Sequence, residues 1–150
     1  MSKHGLVTRD QTLFVRDHCL CLAAQRAARA LSRRFDEAFR AFGITSGQFS
    51  LLNALNRPEP PSLGSVAELL AMDRTSLTAN LKPLQRDGLV LVEADPSDRR
   101  IKRLLLTAAG QQILAEAMPV WTSTHGEVDR GLATRGASGE ALRMSLGALL

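Results

Sequence analysis

Apolar side chains recur every three or four positions through the first third of the chain. This stripe consists of Leu20, Ala24, Ala27, Leu31, Phe35, Ala38 and Phe42. The opposite face is charged and carries Arg26, Arg29, Arg33, Glu37 and Arg40. Residues three and four apart share one face of an α-helix. The pattern therefore predicts one long amphipathic helix, which Gly43 ends.

Two short helices are predicted next, each from a capping-box pattern. Thr45 and Gln48 form this pattern at the start of a second helix. Ser65 and Glu68 form it at the start of a third helix, over residues 66–71. In a capping box the hydroxyl accepts a main-chain N–H three residues later, while the acidic or amide side chain bonds back to the cap.

A fourth helix is predicted between Asp73 and Gly88. The Asp73 carboxylate suits the N-cap position, and Gly88 suits the left-handed conformation that ends a helix. Leu77, Leu81 and Leu84 recur at helical spacing and are predicted to face a core. The remaining surface carries short polar groups and cations, namely Arg74, Thr75, Ser76, Thr78, Ala79, Asn80, Lys82 and Arg86. Such a face suits a DNA major groove, where short side chains touch base edges and cations hold phosphates.

A charged hairpin is predicted directly after the fourth helix. Residues 90–92 form its first strand, residues 101–106 form the second, and residues 95–98 have the Asp-Pro-Ser-Asp composition of a turn. Arg99 and Arg100 lie at its tip, where a protruding arginine suits the negative potential of a narrow minor groove. Asp98 is expected to orient Arg100 in the DNA-binding site by a charge-assisted bond. Alone, this pattern is equally typical of a solvated surface hairpin. Joined to the preceding helix, it favours a DNA-binding winged helix.

Two further helices are predicted after the hairpin. Thr107 caps a long fifth helix, and Ser138 begins a last one. Their apolar positions are Leu114, Ala117, Trp121, Val128 and Leu132 in the fifth, and Leu142, Leu146 and Leu149 in the last. The predicted fold class is mainly α with a small β wing: one domain over residues 1–150, with a winged helix-turn-helix at its centre.

The chain resembles the MarR family of bacterial transcription regulators. The resemblance is sharpest in the wing, at Asp98-Arg99-Arg100 followed by Leu104-Leu105-Leu106-Thr107-Ala108-Ala109-Gly110. It extends upstream to Gly43-Ile44-Thr45-Ser46-Gly47-Gln48-Phe49-Ser50-Leu51-Leu52. The resemblance implies a DNA-binding lobe over residues 45–106 and dimerisation helices over residues 10–42 and 107–150. The expected partners are a second copy of the chain and a pseudo-palindromic double-stranded DNA operator.

The apolar stripes of the terminal helices agree with a homodimer, because they exceed what one small winged helix can cover. A twofold DNA reader also needs such a dimer. Dimerisation through the first, fifth and sixth predicted helices is what the resemblance implies.

Composition narrows the functional classes. The 150 residues are 45% hydrophobic and carry a net charge of +4, which favours a polyanionic partner. No apolar run approaches a membrane span and no signal core begins the chain, so a cytoplasmic protein without membrane contact is expected. No nucleophile–base pair, metal-ligand spacing or phosphate loop is present, so neither an enzyme nor a cofactor is expected.

Six residues are candidates for a pocket that binds a small aromatic acid as effector. Their cationic side chains can bind its carboxylate, and their aromatic side chains can stack on its ring. They are His18, Arg26, Arg29, Phe49, Trp121 and His125. Many relatives in the resembled family bind small aromatic acids between the dimer core and the DNA-binding lobe. The function expected on this basis is a repressor released by such an acid. The plainer alternatives are solvated or salt-bridged arginines and a satisfied interface histidine.

Cys19 and Cys21 offer an alternative, redox-based response. Residues two apart do not share a helix face, so they are poor partners for a mutual disulfide. The plainer interpretation is two buried small hydrophobes. One branch of the resembled family senses peroxides with a cysteine and tyrosines, whereas this chain has no tyrosine. A further alternative is a dimerisation or adaptor module that does not read DNA.

Overall fold

The structure, a computed structural model, describes residues 5–150. Within that range it contains seven α-helices, one 3₁₀ turn and two strands. They are α1 (Arg9–His18), α2 (Leu20–Ala38), the 3₁₀ turn (Arg40–Phe42), α3 (Ser46–Leu55), α4 (Leu63–Leu69), α5 (Arg74–Arg86), β1 (Val90–Ala94), β2 (Lys102–Leu106), α6 (Ala108–Ala133) and α7 (Gly139–Gly147). The mainly α fold with a small β wing is as predicted.

The first predicted helix is shorter than expected. The α-helix α2 ends at Ala38, and a 3₁₀ turn carries the chain to Gly43, whose φ of 68° confirms its role as the terminating glycine. The tighter turn accompanies the burial of Phe39, which is 1% exposed and stacks on Phe49 with ring centroids 4.6 Å apart. Phe39 is off the predicted apolar stripe, so periodicity alone missed this core residue.

A separate helix, α1, precedes the first predicted helix. Thr8 and Gln11 form a complete capping box at its start. The helix ends at Cys19, whose extended backbone (ψ 107°) separates α1 from α2. The resemblance implies dimerisation helices over residues 10–42, but periodicity predicts no separate helix before Leu20, because only the stripe from Leu20 onward is regular enough to indicate one.

The helix starts follow the predicted caps with one exception. Thr45 and Gln48 form both bonds of a capping box, and the predicted caps of α5, α6 and α7 are also present. The predicted start of the third helix at Ser65 is wrong. Ser62 Oγ accepts the Ser65 N–H at 3.1 Å, so α4 begins earlier, and Ala71 (φ 51°) lies beyond its end.

The two strands form an antiparallel hairpin that is tied to the helices on both sides. The register runs from Val90 opposite Leu106 to Ala94 opposite Lys102, so β1 is longer than predicted and β2 begins after Ile101. Thr107 Oγ1 donates to the carbonyl oxygen of Gly88 at 2.7 Å. The hairpin therefore projects from a fixed base next to α5.

The hydrophobic core lies beneath α5 and the hairpin. Leu77, Leu81 and Leu84 are each at most 1% exposed, which confirms that they face the core. They pack in one cluster with buried residues of α3, α4, the strands and α6. Gly110 allows α6 to approach the hairpin, since a Cβ there would clash with the Leu89 carbonyl oxygen. This packing fixes which face of α5 is turned outward.

Candidate nucleic-acid interface

The start of α5 is fixed by its first side chains. The Asp73 carboxylate accepts the main-chain N–H of Ser76 at 2.8 Å and the Ser76 hydroxyl at 2.7 Å. These bonds favour the charged carboxylate, and they lower the pKa of Asp73 from its ordinary value of 3.8. The N-cap is therefore anionic at neutral pH and holds the first turn of α5 in place.

The outer face of α5 presents every residue that was predicted to contact DNA on this helix. Arg74, Thr75, Ser76, Thr78, Ala79, Asn80, Lys82 and Arg86 are all exposed. Their exposure follows from the burial of the leucine stripe on the opposite side. Contact of these side chains with bases or phosphates stays a prediction.

An internal hydrogen bond holds each of two hydroxyls on this face. Thr78 Oγ1 donates to the main-chain oxygen of Arg74 at 2.8 Å, and Ser76 donates to Asp73 as described above. These two bonds are not among the contacts predicted from the sequence. Serine or threonine four residues after a helical carbonyl is the signal that indicates the first of them.

The wing tip carries an arginine oriented by a carboxylate. Arg100 Nε and Nη2 donate to Asp98 Oδ1 and Oδ2 at 3.0 and 2.9 Å, which is the pairing predicted from the sequence. The bond lowers the pKa of Asp98 and raises that of Arg100. The Arg100 side chain is nevertheless 91% exposed, and Arg99 beside it is also exposed. Both arginines are free to meet a ligand, with only Arg100 held by a carboxylate.

A second ion pair, not predicted from the sequence, lies near the wing tip, where β1 ends and the loop begins. Arg103 Nε donates to Asp95 Oδ2 at 2.7 Å. The other oxygen of Asp95 accepts the N–H groups of Ser97 and Asp98 at 2.8 and 3.1 Å. These contacts, led by the Arg103 hydrogen bond, lower the pKa of Asp95. An aspartate at the first position of a turn indicates such a bond to the main chain.

Three of the candidate effector residues lie in one row of stacked rings. The ring centroids of Phe49 and Trp121 are 6.4 Å apart, and those of Trp121 and His125 are 4.8 Å apart. His125 Nδ1 also lies 3.3 Å from Asp129 Oδ2. The stacking and this carboxylate agree with the plainer interpretation of His125 as a satisfied histidine.

A groove of about 420 Å³ opens beside this row of rings. It is lined by Phe49, Ser50, Asn53, Ala54, Leu69, Leu70, Met118 and Trp121. No cationic side chain of the described chain is among these residues. The groove therefore provides apolar walls for a ring, with Ser50 and Asn53 as its polar groups.

The other three candidate effector residues do not join that groove within the described chain. Arg26 and Arg29 line a separate surface of α2 with its alanines. His18 ends α1, where it stacks on Phe14 with ring centroids 4.2 Å apart. The expected single pocket is thus divided within one chain, because the break at Cys19 and the outward face of α2 direct these residues elsewhere.

The cysteines lie at the start of α2, and both are free thiols. Cys19 is half-buried, and its Sγ accepts the Leu22 N–H at 3.3 Å, so it acts as the N-cap of α2. Cys21 is exposed, and Gln25 Nε2 lies 3.4 Å from its Sγ. The interpretation of the pair as two buried small hydrophobes is therefore wrong for the single chain, because neither thiol packs in the core.

Among residues 5–150, no helix combines the length and apolar character that crossing a membrane requires.

Comparison with known proteins finds transcription regulators that are similar to this chain in sequence and in fold. A model of the MarR family matches residues 42–101, from the end of the 3₁₀ turn to the wing. The M. tuberculosis transcriptional regulator MosR, solved in complex with DNA, is 35% identical with a TM-score of 0.79. That match covers 88% of this chain and 93% of the MosR chain.

Two further proteins extend the comparison. The transcriptional repressor CouR of Rhodococcus jostii, solved with a 23-mer DNA duplex, is 26% identical with a TM-score of 0.76, and the match covers 90% of this chain and 94% of CouR. The transcriptional activatory protein BadR of Rhodopseudomonas palustris is 33% identical over 107 residues. That match covers 69% of this chain and 61% of BadR, so the chain spans about three fifths of that relative's length.

Proposed function

Because the chain belongs to the MarR family of winged-helix transcription regulators, we propose that it regulates transcription by binding a pseudo-palindromic DNA operator as a homodimer. Family membership also agrees with the expectation that the chain is not an enzyme. The observation that carries the proposal is the outward face of α5, which is polar and cationic apart from Ala79, beside a wing whose Arg100 is oriented and exposed. Such a protein acts where the DNA lies, in the cytoplasm.

The proposed homodimer rests on apolar surface that the single chain leaves uncovered. Leu20 is 73% exposed, Met144 is 72% exposed, and Leu142 and Leu146 are each 45% exposed. These residues lie on α2 and α7, within the segments that the sequence analysis assigns to dimerisation. Burial of such a surface is the main favourable term in most protein association.

Selection from random DNA duplexes tests the proposal directly. The purified protein is expected to enrich two half-sites related by a twofold axis and about one helical turn apart. A protein that enriches no sequence would instead support the adaptor alternative, in which the winged helix is retained without DNA readout.

We further propose a repressor role, with release by a small aromatic acid whose ring lies in the groove between Phe49, Met118 and Trp121. Stacked or edge-on aromatic contacts would hold the ring. The cation for its carboxylate would come from Arg26 or Arg29, which reach this groove only through rearrangement or a second copy.

Trp121 is the only tryptophan in the sequence, so its fluorescence reports directly on this groove. Titration with benzoate is expected to change the Trp121 emission and to release bound operator, whereas benzamide, which lacks the charge, is expected to do so more weakly. Equal effects of acid and amide would exclude a cation from the site. The absence of any emission change with either compound would count against the groove as a site for aromatic acids of this size.

A cysteine-based response is the second candidate function, favoured by the position of Cys19. Its thiol caps α2, so oxidation of the sulfur would alter the bond that begins a proposed dimerisation helix. Hydrogen peroxide would then weaken operator binding in the wild type and leave Cys19→Ser unaffected. A matched Cys21→Ser variant distinguishes the two thiols, and equal peroxide sensitivity in all three proteins would exclude both.

A further inference from the structure

We propose that the cleft between the start of α4, the start of α5 and the wing binds one backbone phosphate of DNA. This inference rests on the proposed function; it adds Lys102, which is not among the contacts predicted from the sequence, and a single phosphate that Lys102 shares with Arg74. The cleft has a volume of about 340 Å³, and four of its lining residues are cations, Arg74, Arg100, Lys102 and Arg103. We call it the phosphate cradle.

The cations of the cradle divide into two paired and two unpaired side chains. Arg100 is paired with Asp98 at 2.9 Å, and Arg103 is paired with Asp95 at 2.7 Å. Over residues 5–150, no carboxylate oxygen lies within 4.0 Å of the charged groups of Arg74 or Lys102. The cradle therefore keeps two positive charges without a protein counter-ion, which is the requirement for binding an anion.

The walls of the cradle are fixed by close backbone contacts. A Cβ on Gly64 would lie 2.9 Å from Arg74 Nη2, so the guanidinium rests against α4 where that glycine has no side chain. Ser62 pairs with Arg103 in an isolated antiparallel bridge, and Lys102 pairs with Ala94 at the end of the hairpin ladder. Arg74 and Lys102 thus belong to different elements, and both line the same cleft.

The position of the cradle indicates a phosphodiester as its ligand. α5 is the element proposed for the major groove, and the wing tip is the element proposed for the minor groove. The sugar–phosphate strand separates these two grooves, so a cleft between the two elements meets that strand. A phosphate oxygen shared by Arg74 and Lys102 would fix the register and orientation of the protein on the duplex without reading sequence.

The test compares Arg74→Gln, Lys102→Gln and the double variant with the wild type. Arg135→Gln is the matched control, because Arg135 is an exposed cation beyond the end of α6. Fluorescence anisotropy is measured on the selected operator and on a scrambled duplex across a salt series. Each single variant is expected to lose roughly tenfold in affinity on both duplexes.

The double variant is expected to lose little more than either single variant, because both side chains serve one phosphate. Its salt slope is expected to fall by about one. Affinities equal to that of the wild type would overturn the cradle, as would losses confined to the operator or fully additive losses with a slope lower by about two. A wild type that binds neither duplex would instead refute the proposed function itself.

A second arm distinguishes a DNA phosphate from a small free anion. Pyrophosphate is titrated into the DNA-free protein while thermal unfolding is followed. The pyrophosphate-induced shift in the unfolding midpoint is expected to be equal in the wild type and the double variant at every concentration. Stabilisation of the wild type alone would overturn the assignment to DNA and identify a free phosphate compound as the ligand.

Discussion

The hydroxyl of Thr78 donates its only hydrogen to the main-chain oxygen of Arg74, 2.8 Å away and one turn earlier in α5. Ser76 donates its own hydrogen to Asp73 in the same turn. A hydroxyl has one donor and two acceptor lone pairs, so each of these side chains keeps only acceptor capacity for a ligand. In a major groove, amino groups that donate are found on adenine N6 and cytosine N4, whereas guanine and thymine present acceptors at the corresponding positions.

The first prediction is therefore a preference for adenine or cytosine at the base that Thr78 faces. Thr78→Val keeps the shape and removes the acceptor, so it is expected to reduce discrimination at that position by about tenfold, as measured by selection and competition binding. Thr122→Val is the matched control, since Thr122 donates to the Met118 carbonyl at 3.0 Å in α6. Guanine or thymine at that position would show that the hydroxyl leaves its internal bond on binding.

The wing arginines give the second prediction. If Arg100 contacts a base edge in the minor groove, Arg100→Ala is expected to weaken operator binding by roughly tenfold to a hundredfold. Arg99→Ala tests the neighbouring tip residue, and Arg135→Ala is the control for simple loss of charge. Unchanged affinity in both wing variants would identify the wing as a solvated hairpin.

The cap of α5 gives a prediction about pH. The folded-state pKa of Asp73 lies below its ordinary value of 3.8, so its contribution to stability is complete above that value and is lost as the pH falls through the folded-state pKa. Asp73→Asn keeps a good cap without the titrating group. Its thermal midpoint is expected to match the wild type near pH 7 and to fall less steeply with acidification below about pH 4. If the thermal midpoints of the wild type and Asp73→Asn fell in parallel with acidification, Asp73 would not be the group whose titration destabilises the cap of α5.

The homodimer is tested by light scattering at micromolar concentration. The expected mass is twice the chain mass of 16.3 kDa. Leu142→Glu combined with Leu146→Glu places charges on the exposed apolar face of α7 and is expected to produce monomers. Leu91→Glu is the control, because Leu91 is 50% exposed on the wing. A wild-type monomer that persists with DNA present would remove the basis for twofold operator recognition.

Local rules gave much of the helical framework from sequence alone. Thr45, Asp73, Thr107 and Ser138 cap helices as predicted, because an N-cap depends on a side chain and the backbone within one turn of it. The start of α4 was missed because Ser62 and Ser65 both have capping chemistry. Sequence pattern does not decide between such neighbours when packing of the following residues does.

The features that pattern reasoning missed depend on contacts between distant residues. Phe39 is buried through its stack on Phe49, which lies on another helix. Two other contacts also connect separate parts of the chain: Arg74 lies against Gly64, and Arg103 pairs with Asp95. The spacing of the leucines in α5 is enough to predict which face of this helix contacts DNA. The phosphate cradle at the start of α5 is visible only in the tertiary structure, because its residues come from separate elements.

The central claim is that the outward face of α5 reads DNA sequence. Ala79 lies on that face and makes the claim testable at one base pair. Its methyl group can contact a thymine methyl but cannot form the bidentate bond by which arginine reads guanine. The half-site is therefore expected to carry A·T at the base pair that faces Ala79. Lys82, further along the same face, is assigned to a phosphate and not to a base.

Parallel DNA selections with the wild type, Ala79→Arg and Lys82→Ala test that claim most directly. In Ala79→Arg, one position of each half-site is expected to switch from A·T to guanine. In Lys82→Ala, the selected sequence is expected to stay unchanged, with weaker binding on all duplexes and a smaller salt slope. Guanine at that position with the native alanine, or no positional change on introducing the arginine, would contradict the assignment of this face to the bases.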